Sequence, residues 1–166
     1  IILPTQRDYI AGEVSKDMAK RYIIPEKIWK AHEEGLIHGH DFDYLIQHEH
    51  NCCLVNLKDM LENGTVISNT KIDTPHRFPT ACNIATQIIA QVASSQFGGQ
   101  TISLAHLAPY VESSRNKFRK MFKFLKDSIS EETYNEIVET LTKTDIKAGV
   151  QTIQYQVNTL MTCNGQ

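Results

Sequence analysis

The sequence predicts a helix-rich chain with two or three short strands, carried as a single segment over residues 1–166 with no internal boundary. Three observations carry that expectation. Apolar residues recur at steps of three and four along most of the chain, as one face of an α-helix requires. Only two short runs, "NCCLVNL" and "ENGTVISN", read as strand or as turn plus strand. No repeat and no low-complexity linker divides the segment. Two isolated strands do not make a stable sheet, so they need partners, and the chain reads as a piece of something longer. Its ends fit the same expectation, since it starts at Ile1 without Met and stops at Gln166 straight after a glycine.

The elements follow in order. From Gln6 to Tyr22 the residues Ile10, Val14, Met18 and Tyr22 recur every four positions, one stripe of an amphipathic helix. Pro25 suits the first turn of a short second helix, and Gly35 suits its C′ position. "LIHGHDF" reads as extended or irregular and "NCCLVNL" as a short buried strand; Asn63-Gly64 supplies a turn before the strand in "ENGTVISN". A long, weakly polar helix is expected over about Thr80 to Phe97, buried through Ala81, Ile84, Ala85, Ile88, Val92 and Ala93 and stopped by Gly98-Gly99. A basic helix near Glu112 to Asp127 places Phe118, Met121, Phe122 and Leu125 at i, i+3, i+4 and i+7. Ser130 can cap the next helix, with Glu131 and Glu132 in the first turn where the helix dipole favours acids. The last helix is marked by Ile146, Val150, Ile153, Val157 and Leu160.

Composition excludes several classes. A net charge of −2 lacks the basic surplus of a dedicated nucleic-acid binder. No run approaches the roughly 18 apolar residues of a membrane helix, and the N-terminus has no signal-peptide pattern. Four cysteines (Cys52, Cys53, Cys82 and Cys163), two of them adjacent, do not look like a disulfide scaffold, so a reducing, cytoplasmic setting is expected.

The chemistry concentrates in "IHGHDFDYLIQHEHNCCLV", residues 37–55. If residues from His48 onward are extended, side chains alternate between two faces. His48, His50, Cys52, Leu54 and Asn56 then share one face, and Cys53, Val55 and Leu57 share an apolar one. Alternation therefore selects Cys52 as the working thiol and assigns Cys53 to the core. A metal reading takes His38, His40, His48, His50 and Cys52 as ligands, because His-x-His on a strand presents two imidazoles on one side. The alternative is a set of hydrogen-bonded histidines that buttress a loop, with Asp41 and Asp43 as partners. No Cys-x-x-Cys or His-Glu-x-x-His decides between them.

Other features are weaker. Ala81 and Cys82 read as small core residues, and the glycines of "FGGQT" as a helix stop. The basic run Arg115, Lys117, Arg119, Lys120, Lys123 and Lys126 reads as a solvated face that a nucleotide phosphate can also use. Cys163 lies in a polar loop, "TCNGQ".

The runs "RDYIAGEVSKDMAKRYIIPEKIWKAHEEGLIHGHDFDY", "NCCLVNLKDMLENG", "TACNIATQIIAQVASSQFGGQ", "LAPYV" and "NTLMTCNGQ" resemble, in order and over nearly the whole chain, the anaerobic (class III) ribonucleoside-triphosphate reductases. The resemblance implies an α/β fold, a ten-stranded α/β barrel of the glycyl-radical type, of which this chain would be the N-terminal part. It implies reduction of ribonucleoside triphosphates to 2′-deoxyribonucleoside triphosphates for DNA synthesis. It also implies a glycyl radical and a structural zinc, both outside residues 1–166. A separate S-adenosylmethionine-dependent iron–sulfur activase, formate as reductant, deoxynucleotide or ATP effectors and a homodimer complete the expected set, with no membrane and no nucleic acid as partner.

Residue by residue, the Asn-Cys of the family's first barrel strand matches Asn51-Cys52, which makes Cys52 the catalytic thiol that works with the substrate during loss of the 2′ hydroxyl. His38, His40 and Asp41 match a His-x-His-Asp motif in the region leading to the active site, read as organising it rather than binding zinc. Asn164, Gly165 and Gln166 are assigned to the same region, and the effector region to Gln87, Gln91 and Lys117. Cys163 departs from the pattern, where Thr or Ser is common, so the thiyl cysteine is expected downstream of Gln166. The segment alone is expected to be inactive.

Overall fold

A computed structural model describes residues 3–46, 52–95 and 99–159. It is helix-rich. Helix α1 (Leu3–Met18) runs into a single π-helical turn (Ala19–Ile23), and α2 (Glu26–Glu33) follows Pro25. The chain beyond α2 turns at Gly35, whose φ of 73° only glycine adopts without strain, and is irregular through residue 46, as expected.

The expected helix forms, but its apolar stripe is not the face that packs within the segment. Ile10, Val14, Met18 and Tyr22 stand in solvent, each between 45% and 78% exposed. Gly12, Ser15 and Ala19 face inward instead. The reason is the closeness of the neighbouring loop. A Cβ placed on Gly12 would lie in van der Waals contact with the Asp43 Cβ at 3.5 Å.

Strand β1 is two residues, Cys53–Leu54, and pairs in parallel with β4 (Gln100–Thr101). The expected alternation holds at described positions: Cys52 and Leu54 are exposed, Cys53 is half-buried against the core, and Val55 is buried. Residues 47–51 lie outside the described residues, so the pattern at His48 and His50 does too. Asn56 then caps α3 (Leu57–Glu62), its side-chain oxygen accepting the Asp59 N–H at 3.4 Å.

Asn63-Gly64 ends α3 and, with Gly64 at φ 80°, turns the chain into the strand that follows, as expected. The hairpin joins β2 (Thr65–Ile67) to β3 (Thr70–Ile72), and its tip is Ser68-Asn69, both at positive φ. That tip lacked the glycine that flags such turns, which is why β3 was not foreseen.

Helix α4 (Phe78–Ala93) starts and stops earlier than expected. Ser94 and Ser95 donate their hydroxyls to the carbonyls of Ala90 and Gln91, closing the helix before Gly99. Helix α5 (Pro109–Met121) ends where a 3₁₀ turn (Lys123–Leu125) begins, so Met121 faces solvent and only Phe118 of its expected apolar set is buried. The last two expected helices are one, α6 (Glu131–Thr159), 29 residues and roughly 43 Å long at 1.5 Å per residue. Ser130 begins it as expected, accepting the Thr133 N–H. Of the expected stripe, Ile146 and Ile153 pack on the core, Val150 and Val157 are exposed, and Leu160 lies outside the described residues.

The core gathers Val55, Leu57, Leu61, Phe78, Ala85 and Ile88 with their neighbours, and a smaller cluster joins Phe118, Tyr134 and Val138. Helices α4 and α6 pack along one another, at a distance set by glycine. A Cβ on Gly149 would fall 2.6 Å from the Phe78 ring and 2.9 Å from Cys82 Sγ. Thr86 donates to Gln156, whose amide donates to Asn83 at 3.2 Å, adding a polar clasp. Among the described residues no helix is long and apolar enough to cross a membrane.

Candidate functional site

The His-x-His-Asp motif is held by rings from α2. Trp29 stacks on Phe42 with centroids 5.5 Å apart, and His32 meets Phe42 edge-on at 4.9 Å. His32 also lies 5.8 Å from His38, which lies 5.9 Å from His40. The loop backbone is fixed at its centre, where Gly39 N–H donates to His32 Nδ1 at 3.2 Å. An accepting Nδ1 requires the proton of neutral His32 to sit on Nε2. Phe42 lies so close over Gly39 that an added Cβ would fall 1.7 Å from its ring, so any larger residue there displaces Phe42. Asp41 takes φ 56° and its carboxylate meets His40 Nδ1 at 2.6 Å.

The result is a cleft of about 270 Å³ whose polar lining includes Glu13, Lys16, His32, His38, His40 and Asp41. His38, His40 and Asp41 are therefore brought together, and His32 is the member that sequence reasoning missed. Its signal was available: His32 follows Trp29 by three positions on the same helical face. Among the described residues no group of three or more His, Cys, Asp or Glu is arranged to hold a metal. His48 and His50 of the candidate ligand set lie outside the described residues.

Trp29 Nε1–H donates to Glu33 at 2.6 Å, and Lys20 Nζ meets the same carboxylate at 3.0 Å and the Trp29 ring at 5.0 Å. These bonds hold the Glu33 carboxyl below its ordinary value, the indole first and the ammonium second. They also tie the π turn to α2.

Cys52 occupies the exposed bend just before β1. The strand that carries it is fixed by Cys53 N–H donating to Gly99 O at 3.2 Å and Val55 N–H donating to Thr101 O at 2.9 Å. Below it, Cys53 packs against the core that Val55 and Leu57 anchor. The histidine cleft is not lined by Cys52. Asn51 and Cys163 to Gln166 lie outside the described residues. Cys82 is buried, and burial pushes its thiol up to about 11, so it is a core residue, as expected, and a poor nucleophile.

The effector candidates separate. Gln87 is exposed on α4, and Gln91 accepts a hydrogen bond from Ser68 at the hairpin tip at 3.3 Å. Lys117 instead lines a second cleft of about 440 Å³ with His76, Ser113, Asn116 and Lys120. The two arginines of the basic run are committed elsewhere. Arg115 binds Glu139 and Glu112, and Arg119 binds Glu112 and Asn116. Glu139, then Glu112, hold Arg115 more firmly charged, and Arg115 in turn holds the Glu139 carboxyl below its ordinary value. Ser113, Asn116, Lys117 and Lys120 stand at i, i+3, i+4 and i+7, a polar helical stripe that was legible in the sequence.

Comparison with known proteins decides the family. The family model for anaerobic ribonucleoside-triphosphate reductase matches residues 2–166. The chain belongs to that family. It is 42% identical over 170 residues to the anaerobic ribonucleoside-triphosphate reductase of Enterobacteria phage T4, covering 99% of this chain and 27% of that protein. The reductases of Salmonella typhimurium LT2 and Escherichia coli K12 are each 40% identical over 168 residues, covering 99% of this chain and 23% of theirs. The chain thus spans about a quarter of the length of the reductases it matches.

Proposed function

We propose that this chain carries one working thiol and one effector surface of an anaerobic ribonucleoside-triphosphate reductase. The single observation that carries the reading is the family match across 99% of the chain. The exposed setting of Cys52 beside β1 supports its role. A thiol suits the task because its S–H bond is weak. Cys52 Sγ–H can give its proton to the departing 2′ hydroxyl, which leaves as water, while formate, oxidised to carbon dioxide, supplies the electron pair and hydrogen that replace it on the sugar. The half-buried Cys53 and the buried Val55 and Leu57 fix the strand so that Cys52 keeps its place. His38, His40 and Asp41, held by His32 and the Trp29 and Phe42 rings, order the region beside α1. Asn51, with Asn164 to Gln166, is assigned to substrate contact.

The glycyl radical, installed by the iron–sulfur activase, supplies the radical chemistry from outside residues 1–166, with formate as reductant. The structural zinc is assigned outside residues 1–166. A deoxynucleotide or ATP effector fits the described residues, because the cleft of His76, Ser113, Asn116, Lys117 and Lys120 presents two ammonium groups and neutral donors to a phosphate chain. Gln87 and Gln91, on α4 and apart from that cleft, are the second part of the proposed effector surface of a cytoplasmic homodimer. The parallel pairing of β1 with β4 across α4 is the unit from which a parallel α/β barrel is built, in keeping with the ten-stranded barrel.

The test is Cys52→Ala in the full-length reductase that contains this segment. With the glycyl radical formed to the normal level, deoxynucleotide formation is expected to be lost. Turnover at the wild-type rate would remove Cys52 from the mechanism.

A further inference from the structure

Gln100 lies opposite Cys53, the neighbour of Cys52, in the β1–β4 pair. The pair is two residues long, joined where Cys53 N–H donates to Gly99 O and Val55 N–H donates to Thr101 O. So short a pair cannot hold itself, and Cys52 stands wherever β4 is held. Over residues 99–101 the glycine has no side chain and Thr101 is exposed, which leaves Gln100 as the side chain that reaches inward. Its amide Nε2–H donates to Ile89 O, near the C-terminal end of α4, at 2.8 Å.

The two ends of that amide differ. Only nitrogen can donate to a carbonyl, so Nε2 faces Ile89 and Oε1 is turned away from it. Oε1 is buried and has no hydrogen-bond partner among the described residues. A buried acceptor left unpaired costs stability that a methionine of similar length would not. Space-filling therefore does not explain a glutamine at this position, whereas the donor bond to α4 does. Helix α4 is a firm anchor. Its first turn is fastened where Phe78 N–H donates to Ser114 Oγ, whose hydroxyl donates to Asp145. Gly149 lets α6 lie close against it.

We propose that Gln100 is a positioning residue for the Cys52 thiol, tying the strand pair to α4 through the Nε2–H bond to Ile89 O. The inference rests on the reading of Cys52 as the working thiol. It concerns turnover rather than nucleotide binding, since Nε2 is committed to Ile89 and Oε1 is buried.

The experiment uses the full-length reductase. Gln100→Met keeps length and volume but cannot donate, Gln100→Ala removes both, and Cys52→Ala is measured beside them. Glycyl radical, kcat and KM are determined for each. The proposal expects Gln100→Met to form the radical at the wild-type level, keep its KM and lose kcat at least about tenfold, since displacing a reacting group by about 1 Å can cost about a hundredfold. Gln100→Ala should lose at least as much. Wild-type kcat in Gln100→Met overturns the proposal whether or not Gln100→Ala is impaired, because space-filling is then enough. A loss of kcat accompanied by a raised KM, a missing radical or a failure to fold assigns Gln100 to general structure and overturns it too. Cys52→Ala separates the two levels. Turnover by that variant would remove the thiol reading itself, whereas its inactivity beside a fully active Gln100→Met removes only the role of Gln100.

Discussion

Arg77 grips Asp145 across 68 residues of chain, Nε to Oδ2 at 3.1 Å and a terminal guanidinium nitrogen to Oδ1 at 2.5 Å. Asp145 Oδ2 also accepts the Ser114 hydroxyl at 2.8 Å, and Ser114 Oγ accepts the Phe78 N–H at 3.0 Å. The start of α4, the middle of α5 and the middle of α6 are thereby fastened at one buried carboxylate. Asp145→Ala leaves the guanidinium and the Ser114 hydroxyl unpaired. The expected loss is about 2–3 kcal/mol, less than for a fully buried pair because the Arg77 side chain is 36% exposed. Urea unfolding followed by circular dichroism measures it, and a loss under about 0.5 kcal/mol, typical of a neutral surface change, would contradict the assignment.

Gly149→Ala tests the close approach of α4 and α6. Helix propensity alone would favour alanine by about 1 kcal/mol. The new Cβ, however, meets Phe78 and Cys82 inside contact distance, and overpacking of this kind costs about 1–3 kcal/mol. A lowered melting temperature is expected. A raised one would mean that the helices separate freely.

Gly39→Ala tests the loop. Phe42 must leave its place over Gly39, and with it the stack on Trp29. Trp29 is the only tryptophan, so its fluorescence should shift and weaken in structure while the helical content stays unchanged. An unaltered spectrum would show that the ring cluster does not depend on Gly39.

How much of this could be read from the sequence varies by element. Helix α4 announced itself because its apolar periodicity coincides with its packing, whereas α6 was read as two helices and Val150 and Val157 of its stripe are exposed. Helix α1 misled, because periodicity reports which face is apolar and not which face is covered within the segment. The Ser68-Asn69 tip was hidden because neither residue is glycine, although both take positive φ. The alternation at Cys52 was legible because Cys53 and Val55 are the residues that need burial. His32 was overlooked because its role is a single acceptor atom for a backbone N–H seven residues away.

Lys117→Ala and Lys120→Ala each remove an ammonium from the cleft proposed for the effector. Each is expected to weaken deoxynucleotide effector binding to the full-length reductase about tenfold, one charge-assisted contact of roughly 1.4 kcal/mol. Isothermal titration reads the change. Affinity unaltered in both variants would place the effector elsewhere.

Glu139 sets a pH dependence whose sign follows from its lowered carboxyl. A carboxyl held below its unfolded value stabilises the fold above that value and loses the contribution as pH falls through the lowered one. Arg115 is the cause. The stability difference between the wild type and Glu139→Gln should therefore be fully present at neutral pH and fade below the ordinary 4.5. Denaturant midpoints across pH 7 to 3 would show it, and a constant difference over that range would contradict it.

The central claim is that strand parity places Cys52 outward for chemistry and Cys53 inward for packing. The most direct measurement compares Cys52→Ala with Cys53→Ala in the full-length reductase, each assayed for glycyl radical by electron paramagnetic resonance and for deoxynucleotide formation in the same sample. The account predicts that Cys52→Ala carries a normal radical signal and forms no product, while Cys53→Ala retains turnover with reduced stability. Product formation by Cys52→Ala, or its loss in Cys53→Ala alone, would contradict it.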